Sequence, residues 1–251
     1  MRIIICILLG ILGFSKTHAE QPYDKVIDSL LKCNTMTEFY KTLYPKSSYP
    51  NDLGRELDFG YKQVFDQFDY RYYNSMGSDY KTFRLYAIVK NDTIIYGKIE
   101  QLHWRIRVEK TFNFKRLDNS ISQFVKDYNN FYKTTLNNKS LIKELMNIIY
   151  YSFCCGDGCT SIPNEAKKII RYVKLNQQKK IDSWLVNPNP EIQAYAVWGL
   201  KQIEENGGKK TEFEKQIINH LLVKNTLIYN CSGCLKGLET PLRELLEDEF
   251  E

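Results

Sequence analysis

The chain has 251 residues, of which 43% are hydrophobic and 26% are charged, and its formal net charge is +5. This composition excludes a disordered polyampholyte and a protein with several membrane spans, because such a chain can build a hydrophobic core. The length suits one domain or two smaller ones.

Residues 1–19 are predicted to be a secretory signal peptide. The start is basic at Arg2, residues 3–14 are apolar or glycine, and Thr17 and Ala19 are the small residues before the cleavage point. The apolar run is shorter than the roughly 18 to 20 residues that cross a bilayer. We therefore expect a secreted or periplasmic protein with no integral membrane segment after cleavage.

Removal of the predicted signal peptide leaves 33 basic and 30 acidic side chains, a net charge of +3. A nucleic-acid partner usually requires a clustered basic face, so this small average charge argues against one. Six of the seven cysteines remain. An even number of cysteines in an oxidising compartment favours disulfides.

Residues 20–120 are predicted to form an α+β region that begins with two short helices. Apolar side chains recur there at helical spacing in two runs. The first run is Tyr23, Val26, Ile27, Leu30 and Leu31, and the second is Met36, Phe39, Tyr40 and Leu43. Thr35 and Glu38 have the spacing of a capping box between the runs. Residues 44–54 are predicted to be a loop.

A small antiparallel sheet is predicted to follow this loop. Aromatic side chains alternate with charged ones at strand period over residues 68–72. Residues 83–90 and 94–100 are predicted strands, and Asn91-Asp92-Thr93 between them is the turn of a hairpin. Residues 104–108 alternate again and predict a further strand.

Residues 121–251 are predicted to be helical apart from the two cysteine segments. One helix is predicted from Phe124, Tyr128 and Phe131, and another from Leu141, Leu145, Ile148 and Ile149. Because no Gly/Ser-rich linker separates this region from the sheet, we expect the two regions to share an interface. The predicted fold class is therefore α+β with an all-helical C-terminal part.

A helical hairpin is predicted in the middle of this region. Its first helix stops at Asn187-Pro188, and Asn189 caps a second helix that has Pro190 in its first position. Gly207-Gly208 ends the second helix, and a further capping box is formed by Thr211 and Glu214. The predicted buried face of the second helix consists of Ile192, Tyr195, Ala196, Gly199, Leu200 and Ile203.

The stretch from Asn187 to Leu200 resembles part of a HEAT repeat, and the resemblance covers residues 177–205. Only one good copy is present, whereas stacked repeats need about three units to bury their faces. The hairpin is therefore expected to pack on its own domain. The resemblance implies helical packing and a protein-binding surface, but it implies no reaction.

The cysteines lie in two clusters and one isolated position. The clusters are Cys154, Cys155 and Cys159 at the entry of the helical segment, and Cys231 and Cys234 at its exit. The pattern is similar to one found in exported bacterial proteins of unassigned function. Disulfides between the clusters are the leading interpretation, because they would close a loop of about 75 residues. The sequence leaves the connectivity open, including a bond from Cys33 to the odd member of the first cluster.

Two other uses of these cysteines remain open. A zinc site would draw on Cys155, Cys159, Cys231 and Cys234, with His220 or Asp157 as a further ligand. Cys231-Ser-Gly-Cys234 also has the spacing of a thiol–disulfide redox motif. His103, beside the predicted strand at 104–108, is interpreted as a packing residue.

The leading functional interpretation is an exported, non-catalytic structural or protein-interaction module that needs no cofactor. Its partner would be a protein bound at the helical region. The competing interpretation is a metal-binding or thiol-redox protein that uses the cysteine clusters. The sequence contains no phosphate-binding loop, nucleophile elbow or zinc-protease helix, so it favours a protein that is not an enzyme.

Overall fold

The computed structural model describes residues 23–43, 57–65, 68–76, 82–102, 108–224, 226–232 and 235–247. The helices are α1 (Tyr23–Leu30), α2 (Met36–Leu43), α3 (Asp118–Tyr132), α4 (Asn138–Leu145), α5 (Asn164–Lys174), α6 (Gln178–Leu185), α7 (Pro190–Glu205), α8 (Glu212–Val223) and α9 (Leu242–Glu247). The strands are β1 (Leu57–Phe65), β2 (Phe68–Met76), β3 (Thr82–Lys90), β4 (Thr93–Leu102), β5 (Val108–Arg116), β6 (Leu227–Ser232) and β7 (Leu235–Pro241). The predicted α+β class is confirmed. The predicted signal peptide, His103 and Cys234 lie outside the described residues.

The two N-terminal helices form as the apolar spacing predicts. Ile27 of α1 and Phe39 of α2 are buried. The capping box at the start of α2 is present: the Glu38 amide donates to Thr35 Oγ1 at 3.0 Å, and the Thr35 amide donates to Glu38 Oε2 at 3.3 Å. These reciprocal bonds satisfy amides that have no partner within the helix.

Strands β1 to β5 form an antiparallel sheet in which each strand pairs with the next along the chain. The predicted hairpin is its centre, where Lys90 of β3 pairs with Thr93 of β4. Asn91 and Asp92 have φ values of 48° and 66°. Two consecutive left-handed residues make the tight turn that matches the twist of paired strands, and asparagine and aspartate tolerate this conformation.

The edges of the sheet differ from the prediction. Strand β1 is not predicted separately by the sequence, and β5 extends over Val108–Arg116, so it meets the strand expected over residues 104–108 only at Val108. Residues 103–107 lie outside the described part. Edge strands are hard to recognise from local patterns, because strand propensity depends on packing against cross-strand and same-face neighbours.

Strand β3 packs against the N-terminal helices on one face and against the helical region on the other. Leu85, Ala87 and Val89 point toward α1 and α2 and belong to one buried cluster. Tyr86 and Ile88 point to the opposite face and belong to the cluster that contains the helical region. Because side chains alternate across a strand, an uninterrupted apolar run requires both faces to be covered.

The C-terminal part is not all-helical, which corrects the prediction. Strands β6 and β7 form an antiparallel hairpin in which Ser232 pairs with Leu235. The sequence of β7 contains lysine, glycine, glutamate and proline, which are weak strand formers, so its pairing is a tertiary effect. The helix predicted to continue to Ile149 ends at Leu145 as α4.

Helix α7 lies at the centre of the helical region. Every member of its predicted buried face is buried, and Glu191, Gln193, Ala194 and Val197 on its other sides are buried as well. The predicted cap is present, since the Asn189 side chain accepts from the amides of Glu191 and Ile192. At Gly199 a methyl group would lie 2.9 Å from Ile169 Cδ1, so glycine permits the close approach of α5. The N-terminal half of α7 is therefore closed to a partner, whereas Glu204 and Glu205 in its last turn are exposed.

Candidate functional site

The two cysteine segments are brought together by a short stretch of β-type pairing. The Tyr151 amide donates to the Tyr229 carbonyl at 2.7 Å, and the Cys231 amide donates to the Tyr151 carbonyl at 3.3 Å. These bonds lay residues 150–155 alongside β6. The pairing joins the end of the segment after α4 to the strand after α8, so it places Cys155 beside Cys231.

Four cysteines form two disulfide pairs. Cys155 and Cys231 are paired with a Cα–Cα distance of 5.6 Å, and both side chains are buried. Cys154 and Cys159 are paired within the first cluster, with a Cα–Cα distance of 4.9 Å. The predicted bond between the clusters is therefore present, and it ties the entry of the helical segment to its exit.

Helix α7 anchors both cysteine segments from the inside. The Tyr195 hydroxyl accepts from the Ser152 amide at 2.9 Å and shares its proton between the Tyr150 and Ser152 carbonyls, at 3.0 and 2.9 Å. Glu191 Oε1 accepts from the Tyr229 amide at 2.8 Å. These are hydrogen bonds of buried groups, whose loss costs more than that of exposed ones. The surroundings of the disulfides thus serve to hold the fold.

Cys33 is not part of this arrangement. Its buried thiol is free and lies on the other side of the sheet, 3.6 Å from the Ser29 carbonyl oxygen and 3.5 Å from Thr42 Oγ1. A bond to the first cysteine cluster, which the sequence left open, is not what the structure contains.

The described members of the predicted metal site are not brought together as a ligand set. Cys155, Cys159 and Cys231 are engaged in disulfides, and a disulfide sulfur is not a thiolate ligand. The His220 ring packs against Phe131 and Tyr132, with ring centroids 4.4 and 6.2 Å away. Within the described ranges, no group of three or more His, Cys, Asp and Glu side chains is placed to hold a metal ion.

The exposed surface of α5 and α6 is strongly cationic. Between Ala166 and Ile181 the sequence has six basic and no acidic side chains. All six are exposed, and we call them the α5–α6 cationic face: Lys167, Lys168, Arg171, Lys174, Lys179 and Lys180. Lys168 forms an ion pair with Glu165, in which Nζ lies 4.0 Å from Oε1. In the part of the chain that the structure describes, the other five make no side-chain hydrogen bond or ion pair.

A groove with a volume of about 660 Å³ lies beside this face. Its walls carry the amides of Asn176, Gln177 and Gln178 together with Lys179, Lys180 and Lys209. Gln178 fixes the two walls, because its Nε2 donates to the Lys209 carbonyl at 3.1 Å and to Glu214 Oε1 at 2.8 Å. The groove is therefore held open by the contact between the start of α6 and the start of α8.

Two carboxyl groups, Asp182 and Glu214, lie on the wall of this groove, and each shifts the pKa of the other. Burial and the neighbouring Glu214, through a hydrogen bond and its charge, raise the pKa of Asp182 to about 7. Burial alone would raise the pKa of Glu214, but hydrogen bonds from Asp182, Gln178 and Thr211 lower it below its ordinary value. Near neutral pH the pair therefore carries between one and two negative charges, facing three lysines.

We expect Asp182→Asn to flatten the pH dependence of stability. The folded pKa of Asp182 lies above the unfolded one, so its protonated form stabilises the fold at low pH, and that stability is lost as pH rises from about 4 to about 7. Since the side chain is half-exposed, solvent screening reduces the expected loss to about 1 kcal/mol. The amide that replaces the carboxyl group does not titrate, so this loss should be absent from the variant.

Urea unfolding of the wild type and the variant at pH 5, 7 and 8 measures this difference. Asp127→Asn, the same substitution on half-exposed α3 surface, is the matched control and should leave the wild-type slope unchanged. A slope in Asp182→Asn as steep as in the wild type would contradict the raised pKa of Asp182.

Sequence reasoning missed the cationic face and the carboxyl pair for different reasons. The average charge concealed the face, although a count over short windows would have shown six basic residues without an acidic one. Glu214 is predicted from the sequence only as a capping residue, and its capping role is confirmed. Nothing local connects it to Asp182, because their contact is made by the packing of α6 against α8.

No helix within the described ranges is both long and apolar enough to cross a membrane. Comparison with known protein families, with curated proteins and with solved structures gives no match for this chain.

Proposed function

We propose that this protein is an exported, non-catalytic protein-interaction module, and that α6 and α7 are a single HEAT-like hairpin at its centre. The observation that carries the proposal is the α5–α6 cationic face, in which five charged side chains lack a partner among the described residues. Neutralising charges by a partner is favourable where the protein itself provides no counter-charge. Disulfide pairs support export, because they persist in oxidising compartments.

The burial of α7 also supports the proposal, because it assigns support to an inner helix and leaves binding to the helices around it. A helix whose N-terminal half is enclosed on all sides, and that holds both cysteine segments by hydrogen bonds, acts as the internal support of the helical region. The helices around it then present a rigid outer surface. Rigid presentation favours binding, because fewer side chains and loops have to be ordered when the partner arrives.

Site-specific photo-cross-linking in the cells that produce the protein tests this proposal. We expect ultraviolet-dependent adducts when Arg171 or Lys180 is replaced by p-benzoylphenylalanine, because both lie on the α5–α6 cationic face. Gln123 and Lys126 are also exposed, on α3, and are the matched control positions, from which no adduct is expected. Adducts from all four positions, or none from Arg171 and Lys180, would contradict the proposal.

A further inference from the structure

We propose that the groove beside the α5–α6 cationic face binds an extended acidic polypeptide segment that carries one apolar side chain. The inference rests on the proposed function and names the chemistry of its partner. It depends on the shape of the groove, on the arrangement of charge around it and on an exposed leucine at its edge.

The charges are placed along a line that an extended chain can follow. Lys167, Arg171 and Lys174 lie on one side of α5, at intervals of four and three residues, so they form a row about 10 Å long. Lys179 and Lys180 add two cations at the start of α6, where they line the groove. An extended peptide advances about 3.3 Å per residue and turns alternate side chains to the same side, so several carboxylates can reach this row.

The groove favours a polypeptide over a lipid surface. The amides of Asn176, Gln177 and Gln178 line it, and they offer donors and acceptors that suit a peptide backbone. A bilayer is flat at this scale and cannot enter a groove of about 660 Å³. The carboxyl pair of Asp182 and Glu214 opposes an anion, but Glu214 is already held by Gln178 and by the Thr211 amide.

Leu175 supplies the apolar contact. It follows the last residue of α5, it is 54% exposed, and Asn176 beside it lines the groove. Asn176 has a φ of 50°, a left-handed conformation that ends α5 and sets the turn into α6. Because Leu175 follows Lys174 and leaves more than half of its surface exposed, it is the expected anchor for an apolar side chain of the partner.

The test uses a fluorescein-labelled peptide of glutamates with one central leucine and the full-length native protein. We expect the triple variant Lys174→Gln, Lys179→Gln, Lys180→Gln to bind this peptide about tenfold more weakly, since exposed charge pairs contribute modestly but add up. Leu175→Ala should weaken binding about fivefold, and only for the peptide that contains leucine. The matched control Lys110→Gln, Lys126→Gln, Lys133→Gln removes the same charge elsewhere and should change the affinity by less than about twofold.

Three results would overturn the inference. The first is that the control triple variant weakens binding as much as the groove variant. The second is that a peptide with glutamine in place of glutamate binds equally well. The third is that phosphatidylglycerol vesicles bind through these lysines while the peptide does not. Failure of the peptide together with adducts at Arg171 and Lys180 would reject the acidic segment and leave the proposed function standing. Absence of those adducts would reject the proposed function itself, whatever the peptide does.

Discussion

Replacing Cys155 and Cys231 together by alanine is expected to lower the free energy of unfolding by about 4.5 kcal/mol. The two cysteines are 76 residues apart in the sequence, and a bond between them removes conformational freedom from the unfolded chain. The chain-entropy relation gives about 4.5 kcal/mol for a loop of this length. The closed loop contains α5, α6, α7 and α8, so the whole outer surface of the helical region should become less stable.

The double replacement of Cys154 and Cys159 is the matched control. These cysteines are only five residues apart, for which the same relation gives about 2 kcal/mol. Urea unfolding under non-reducing conditions measures both losses, and peptide mapping without reduction verifies which pair remains in each variant. If the short loop costs as much as the long one, the bond between the clusters does not act as the clamp of the helical region.

Asn189→Ala is expected to be the most destabilising single polar substitution, with a loss of about 3 kcal/mol. Asn189 is 1% exposed, and its Oδ1 accepts from the amides at the start of α7. Its Nδ2 donates to the Asn147 carbonyl at 2.7 Å, which ties the segment after α4 to the start of α7. Alanine removes the cap, at about 1 kcal/mol, and leaves buried groups without their partner, at about 1 to 3 kcal/mol more.

Two further variants separate these contributions. Asn189→Ser keeps an oxygen for the cap but has no amide donor, so its stability should lie between the wild type and Asn189→Ala. Asn137→Ala removes an exposed cap of the same residue type, whose side chain accepts from the Ser140 amide alone among the described residues, and it should cost about 1 kcal/mol. Thermal and urea unfolding measure the order. Equal losses in Asn189→Ala and Asn137→Ala would show that the link to Asn147 contributes nothing.

Local patterns predicted the elements whose hydrogen bonds are made by nearby residues. The caps at Thr35 and Asn189 and the turn at Asn91-Asp92 are examples, because the side chain and the amide it serves lie within three residues of each other. The hairpin of β6 and β7 was missed for the opposite reason. Its strands are short, and Tyr151, far away in the sequence, supplies part of their hydrogen bonding.

At the candidate site, too, the sequence predicted local features and the tertiary structure decided the contacts between distant residues. The sequence alone identified the two cysteine clusters and favoured a bond between them, but it assigned no individual pair. The structure selected Cys155–Cys231 and Cys154–Cys159 from the open connectivities. It also brought Asp182 to Glu214, which made a groove beside the cationic residues of α5 and α6.

The sequence by itself determined that this chain builds an α+β core with a capped helical hairpin and cysteines at both ends of a helical segment. Helical period, capping and turn residues act over a few positions, so they can be read locally. Only the tertiary structure decided which cysteines pair, that the N-terminal half of α7 is enclosed, and that the lysines of α6 border a groove. Those outcomes depend on contacts between residues far apart in the chain. A local sequence pattern does not reveal the free energy of such contacts.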